Sequence, residues 1–424
     1  NGLGVALLVL VMNKGIAPKE IGTFEAGLYG TSGALIIAGL LLLTHKRLHN
    51  LRIPFGSKHG LRALCTILTI TVITMMLILG LELTTRIYLQ ANQINQIYWY
   101  TVKRRSGDYS LLLDSPPYQD AAYATPDFID EVLATQGRTE GSSEDPNIIL
   151  PNNFEGEFIN IIEHQRFTTG QPDFFDHRIY LFGGSTIFNL AVPDKMTIAS
   201  QLQRMLLAYY GQNYRVENFG VIGATTHQQF LRLQTLTLNP GDVVIFYDGY
   251  NDIFKGLTRN HLWMLNLLSK SDFFNFFLKP ILAPYLPPFQ SPELESLSAG
   301  YYQEIVSAEE LTTQQGALFL HFLQPSLHTL TGKSAYENQI IEELRTKAKG
   351  WHESYLSAYP VLADVHFTLT AEGIIAYDLR DALNPEHREF TGEIFLDDIH
   401  VNHLGNQVIA DRLFQALQQQ LAPK

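Results

Sequence analysis

Two apolar runs near the start of the chain, 24–43 and 63–83, are each about 20 residues long, nearly free of charge and without a polar face. At 1.5 Å rise per residue such a run reaches ~30 Å, the thickness of a hydrocarbon core, so both read as transmembrane helices. An earlier apolar run within 1–13 is too short to span and reads as the tail of a truncated span or a signal-type segment. From residue 178 the pattern changes. Short apolar runs at 178–182, 214–219, 242–247, 317–323 and 373–379 alternate with helical periodicity at 197–207, 226–238, 336–357 and 402–421. Strands that are continuously apolar and alternate with helices predict a parallel sheet covered on both faces, a three-layer α/β/α sandwich.

The intervening stretches are less regular. The segment 84–176 predicts a stalk and an extended lead-in, because 106–151 is rich in Asp, Ser, Pro and Gly. Between 254 and 313 an insertion breaks the βα rhythm, with Trp263, Phe273, Phe274, Phe276, Phe277, Tyr285 and Phe289 among several prolines. Connections of this length are functional or carry their own structure. A cap over the site, a buried subdomain and a membrane or partner contact are all open to it. The expected organisation is therefore a membrane anchor over 1–83, the lead-in over 84–176, and a globular α/β domain over 177–424.

Charge sharpens this division. The first 83 residues are net basic and the remainder is acidic, within a total of −12. An acidic globular part without a basic stripe argues against nucleic acid as a partner. Lys46, Arg47, Arg52, Lys58 and Arg62 crowd the loop between the two apolar runs, which carries no acid. The positive-inside rule makes that loop cytoplasmic and puts everything after residue 83 on the outer side of the cytoplasmic membrane, periplasmic or extracellular. Cys65 is the single cysteine, so no intrachain disulfide and no cysteine-based metal site can form. The chain opens at Asn1 on an apolar run already under way, which points to a start that is missing or processed.

Candidate chemistry sits where the strands end. Gly183-Gly184-Ser185 follows the first strand, Gly223 the second and Gly249-Tyr250-Asn251-Asp252 the third, while Asp397-Asp398-Ile399-His400 precedes the closing helix. These stretches converge on the carboxyl edge of the sheet, where open α/β sheets bind ligands. A serine hydroxyl is a weak nucleophile until an imidazole takes its proton, and a carboxylate holds that imidazole's tautomer. Ser185, His400 and Asp397 can fill those roles. Backbone N–H groups of Ser185 and Gly223 with the Asn251 amide can face the oxyanion.

In order and element, these four blocks resemble those of the SGNH (GDSL-type) hydrolase superfamily over about 245 residues. The resemblance implies a flavodoxin-like sheet, Ser185 as nucleophile, Gly223 and Asn251 as oxyanion donors, and His400 with Asp397 as base and acid. One departure is the Gly-Gly-Ser-Thr block in place of Gly-Asp-Ser. The serine is retained, as in membrane-tethered bacterial members associated with surface-polysaccharide loci, and the change weakens the analogy to simple lipases.

The expectation is a membrane-anchored serine esterase that removes acyl groups, acetyl foremost, from a carbohydrate or cell-surface polymer without a cofactor or metal. O-acetyl transfer to a surface glycan uses the same residues, and a silent accessory subunit with membrane-protein partners is the reading from another class. Asp397, Asp398, His400 and His403 could instead share a metal ion, which would leave Ser185 and Asn251 unexplained. Asp252 reads as a backbone organiser or a substrate hydroxyl contact, Asp398 as a solvated loop acid, His403 as a helix cap or solvent-facing group, and His321 as a satisfied core histidine.

Overall fold

The structure is a computed structural model that describes residues 58–91, 94–96, 101–103, 110–136, 139–142, 145–257, 273 and 288–421. The expected spans at 1–13 and 24–43, most of the basic loop and the insertion over 258–287 apart from Phe273 lie outside these residues. The chain divides into two compact units, one of Asn1–Asn95, Lys103–Ser106 and Leu262–Ala283, the other of Gln96–Val102, Gly107–His261 and Pro284–Lys424.

In the first unit, helix α1 (Lys58–Ala91) is 34 residues long. Its stretch Thr69–Leu89 has a mean hydropathy of 1.7 and is long enough to cross a bilayer. Met76, Leu79 and Leu83 on it are exposed. The run expected at 63–83 lies within this helix, and the apolar stretch continues past Glu82 to Leu89. Glu82 is engaged locally, by Arg86 Nε at 3.0 Å and by the Phe273 N–H at 3.2 Å.

The second unit is built on a seven-stranded sheet of β1 (Ile161–Ile162), β2 (Gln165–Arg166), β3 (His177–Gly183), β4 (Tyr214–Gly220), β5 (Val243–Asp248), β6 (Leu318–Leu323) and β7 (Ala376–Asp378). The order is β7-β6-β5-β3-β4-β2-β1. Strands β3 to β7 are parallel in the flavodoxin-like order, so the first and third parallel strands are adjacent at the switch point. The expected parallel sheet is extended at one edge by two short strands: β2 pairs antiparallel to β4, and β1 antiparallel to β2. These two strands are two residues each, too short for a period-two signal.

Alternation along the parallel strands feeds two cores. Ile179, Leu181, Val243, Ile245, Leu320 and Phe322 face one layer, with α4 (Ile198–Tyr210) and α10 (His403–Gln420) packed on them. Tyr180, Phe182, Val244, Phe246 and Phe319 face the other, covered by α5 (Thr226–Leu233), α6 (Tyr250–Gly256), α7 (Leu294–Gln314) and α9 (Trp351–Ala371). Both sandwich faces are therefore buried.

Three elements depart from expectation. The single helix expected over 336–357 is two, α8 (Ala335–Lys347) and α9, separated at Gly350, whose φ of +80° suits glycine. Helix α9 then runs through Pro360 to Ala371, where the proline reads in sequence as a stop. The carboxyl part of the expected insertion is α7, a regular layer helix whose buried stripe is only Tyr301, Ile305, Ala308 and Thr312. Residues 110–166 also do more than connect. Helix α2 (Pro126–Thr135) and its neighbours form a third core with Phe188, Leu190 and Leu396, and the Glu131 carboxylate accepts N–H bonds from Glu157, Phe158 and Ile159 at 2.7–2.9 Å.

Candidate active site

Ser185 opens α3 (Ser185–Phe188), one turn beyond β3. The crossing is tight: a Cβ on Gly183 would overlap Ile187 Cγ1 and sit 2.8 Å from the Tyr247 carbonyl, which leaves room for no other residue. Register sets Gly183 level with Gly220 of β4 and Tyr247 of β5, so the turns after all three strands meet at one edge.

His400 reaches that edge from the loop before α10. Its Nε2 lies 2.8 Å from Ser185 Oγ, and its Nδ1 lies 2.7 Å from Asp397 Oδ2. With Nδ1–H donating to the carboxylate, Nε2 is left to accept from the serine hydroxyl. Asp397 Oδ1 accepts the N–H groups of Ile399 and His400 at 2.9 and 2.6 Å, so the acid is fixed by its own loop. Burial disfavours a charged His400, but Asp397, with Asp398 adding to it, outweighs burial and raises the imidazole above its ordinary value of 6.5.

The remaining groups fall around Ser185. The Asn251 amide donates to the Ala224 carbonyl at 2.9 Å, and a Cβ on Gly184 would collide with its nitrogen. Gly223 has a φ of +77° with open space where a side chain would project. Among the described residues, the backbone N–H groups of Ser185 and Gly223 take no acceptor, as a pair of donors awaiting an oxyanion would.

Neighbouring polar residues are otherwise committed. Asp252 accepts from the N–H of Thr226 at 3.0 Å and of Gly249 at 3.3 Å, joining two site turns as a backbone organiser. Burial, then the charge of Asp248, pushes it up to about 7. His321 is a core histidine bonded to Asp248 and His366, both at 3.0 Å. The cap of α10 is Asn402, whose Oδ1 accepts from Leu404 and Gly405, while His403 Nδ1 lies 3.4 Å from the Tyr123 hydroxyl.

Asp398 overturns its reading as a solvated acid. It is buried and accepts from Tyr250, His328 and Trp351. With Asp398 and His403 so engaged and His400 turned to Ser185, these groups do not present a shared ligand set. Sequence reasoning also missed the lead-in's part in the site: Asn402 Nδ2 donates to the Pro117 carbonyl at 2.7 Å, and Tyr118 donates to Ala191 at 2.9 Å. Only the prolines and tyrosines of 116–123, an apolar patch within a polar stretch, signal it.

No family model matches the chain, and no curated protein matches it. Among solved structures, it is similar to a lipolytic protein of the G-D-S-L family from Veillonella parvula, at 14% identity over 57% of this chain and 99% of that one, with a TM-score of 0.37. TesA is similar at 15% identity over 58% and 100%, with a TM-score of 0.37. A single-residue variant of an acetyl xylan esterase from Geobacillus stearothermophilus is similar at 10% identity over 59% and 98%, with a TM-score of 0.36. At these values the fold rests on the sheet order and register of this chain itself.

Proposed function

We propose that this chain is a membrane-anchored serine esterase of the SGNH type, acting by acyl transfer through an acyl-Ser185 intermediate. The observation that carries the reading is His400, bonded to Ser185 Oγ at 2.8 Å on one side and to Asp397 at 2.7 Å on the other. His400 Nε2 takes the hydroxyl proton as Ser185 Oγ bonds to the acyl carbon. The resulting oxyanion is met by the N–H groups of Ser185 and Gly223 and by the Asn251 amide. One such donor is worth ~3–4 kcal/mol of transition-state stabilisation. As the intermediate collapses, the C–O bond to the alcohol breaks and His400 returns the proton to the leaving oxygen. Water, deprotonated by the same imidazole, then releases the carboxylic acid and free Ser185.

The substrate we assign is a carbohydrate or cell-surface polymer bearing short acyl esters, acetyl foremost, a class supported by the sequence resemblance to membrane-tethered members. The apolar length of α1 supports anchoring in the cytoplasmic membrane, and the basic loop before it supports an outward-facing domain. The test is acid release from acetylated oligosaccharides by the full chain in detergent, with and without an unacetylated sugar acceptor. Acetate release that depends on Ser185 supports the esterase. Acetyl appearing on the added sugar makes the chain an O-acetyltransferase with the same residues. Neither product from a folded chain overturns the reading.

A further inference from the structure

The loop that carries Asp397 and His400 carries a second buried carboxylate that the reaction above does not use. Oδ2 of Asp398 accepts three hydrogen bonds, from the Tyr250 hydroxyl at 2.5 Å, His328 Nε2 at 2.8 Å and Trp351 Nε1 at 2.9 Å. Its backbone carbonyl accepts a fourth from the Leu327 N–H at 2.9 Å. The donors come from three places: the start of α6, the loop after β6 and the start of α9.

Tyr250 is the decisive donor, because it adjoins Asn251. One carboxylate thus bridges from the loop of the base to the turn of the oxyanion donor. The bridge is stiff. The ring of Tyr355 stacks on Tyr250 and on His328, each with centroids 4.5 Å apart, and His352 Nδ1 lies 2.8 Å from His328 Nδ1. His328 thus bonds Asp398 through Nε2 and His352 through Nδ1. Burial, followed by the neighbouring His328, holds His352 down to about 4, so it is neutral near neutral pH. Burial alone would raise Asp398, but its bonds, that from His328 foremost, hold it at about 2. Charge-assisted bonds of this kind are short, strong and geometrically demanding.

We propose that Asp398 is a positioning residue that couples the His400 loop to the Asn251 turn and so fixes the spacing between base and oxyanion donor. The inference rests on the esterase reading. It also explains why a neighbour of the catalytic acid is buried at the cost of desolvation.

The test compares Asp398→Asn, Tyr250→Phe and the double variant of the full chain in detergent, with the melting temperature recorded for each. Loss of a bond to a charged group predicts kcat lower by about 10- to 100-fold in Tyr250→Phe, with KM little changed. Asp398→Asn is expected to lose at least as much. It should also move the acid limb of the pH profile downward, since Asp398 adds to Asp397 in favouring the charged His400. Tyr250→Phe keeps the carboxylate and should leave the limb nearer its original place. The double variant should be no slower than Asp398→Asn. Wild-type kcat in Tyr250→Phe, a loss confined to KM, or losses that multiply in the double variant would each overturn the coupling while leaving an active wild type as an esterase. A folded wild type without Ser185-dependent turnover overturns the esterase reading and the inference together.

Discussion

His400 stands between opposed demands, burial favouring the neutral ring and Asp397 the charged one, and Asp397 prevails. A general base must be neutral to take the Ser185 proton. Activity is therefore expected to fall as pH drops through a value above 6.5, read as the acid limb of kcat/KM. In Asp397→Asn that limb should move downward while kcat falls by about 10⁴; an unmoved limb would detach Asp397 from the base. The linkage runs the other way for stability, since a raised value contributes below 6.5 and is lost as pH rises through it. Asn251→Ala should lower kcat by about 10²–10³ with the melt unchanged, the cost of one oxyanion donor. A loss in KM alone would make Asn251 a binding residue instead. Ser185, Asp397 and His400 were legible because their residue types announce a chemistry and local spacing joins the acid to the base. Asp398 was not, because its donors lie 148, 70 and 47 residues away in the chain and a loop acid with distant partners looks like one with none.

At the scale of elements, legibility followed burial on both faces. The central runs Ile179–Phe182 of β3, Val243–Tyr247 of β5 and Leu318–Leu320 of β6 are apolar because each side meets a core, and those runs survive in the sequence, whereas β4 carries Arg215, Glu217 and Asn218. The hairpin of β1 and β2 left no such trace, and α7 hides a four-residue buried stripe among acids. Close approach of elements around Ser185 gives a test. A Cβ on Gly220 would overlap the Phe188 backbone nitrogen, so Gly220→Ala must push α3 from β4. We expect it to cost about 1–3 kcal/mol or more in denaturant unfolding, together with activity. Gly392→Ala, with nothing within 4 Å of the new carbon, is the control and should unfold as wild type does. Equal stability of the two variants would contradict the packing described for α3.

For the whole molecule, the charge division between a basic apolar start and an acidic remainder is the feature that sequence states most openly. It predicts that the full chain sediments with membranes and resists alkaline extraction. Protease added outside intact spheroplasts should degrade the domain, whereas digestion only after lysis would invert the assigned orientation. If Ser185 is an activated nucleophile, it can be trapped covalently. The full chain in detergent is treated with a fluorophosphonate, and the adduct is located by peptide mass. We expect one phosphonyl adduct on the peptide bearing Ser185, absent from Ser185→Ala and strongly reduced in His400→Ala. A folded chain that takes no adduct, or takes it elsewhere with Ser185→Ala labelled as fully as wild type, would contradict it.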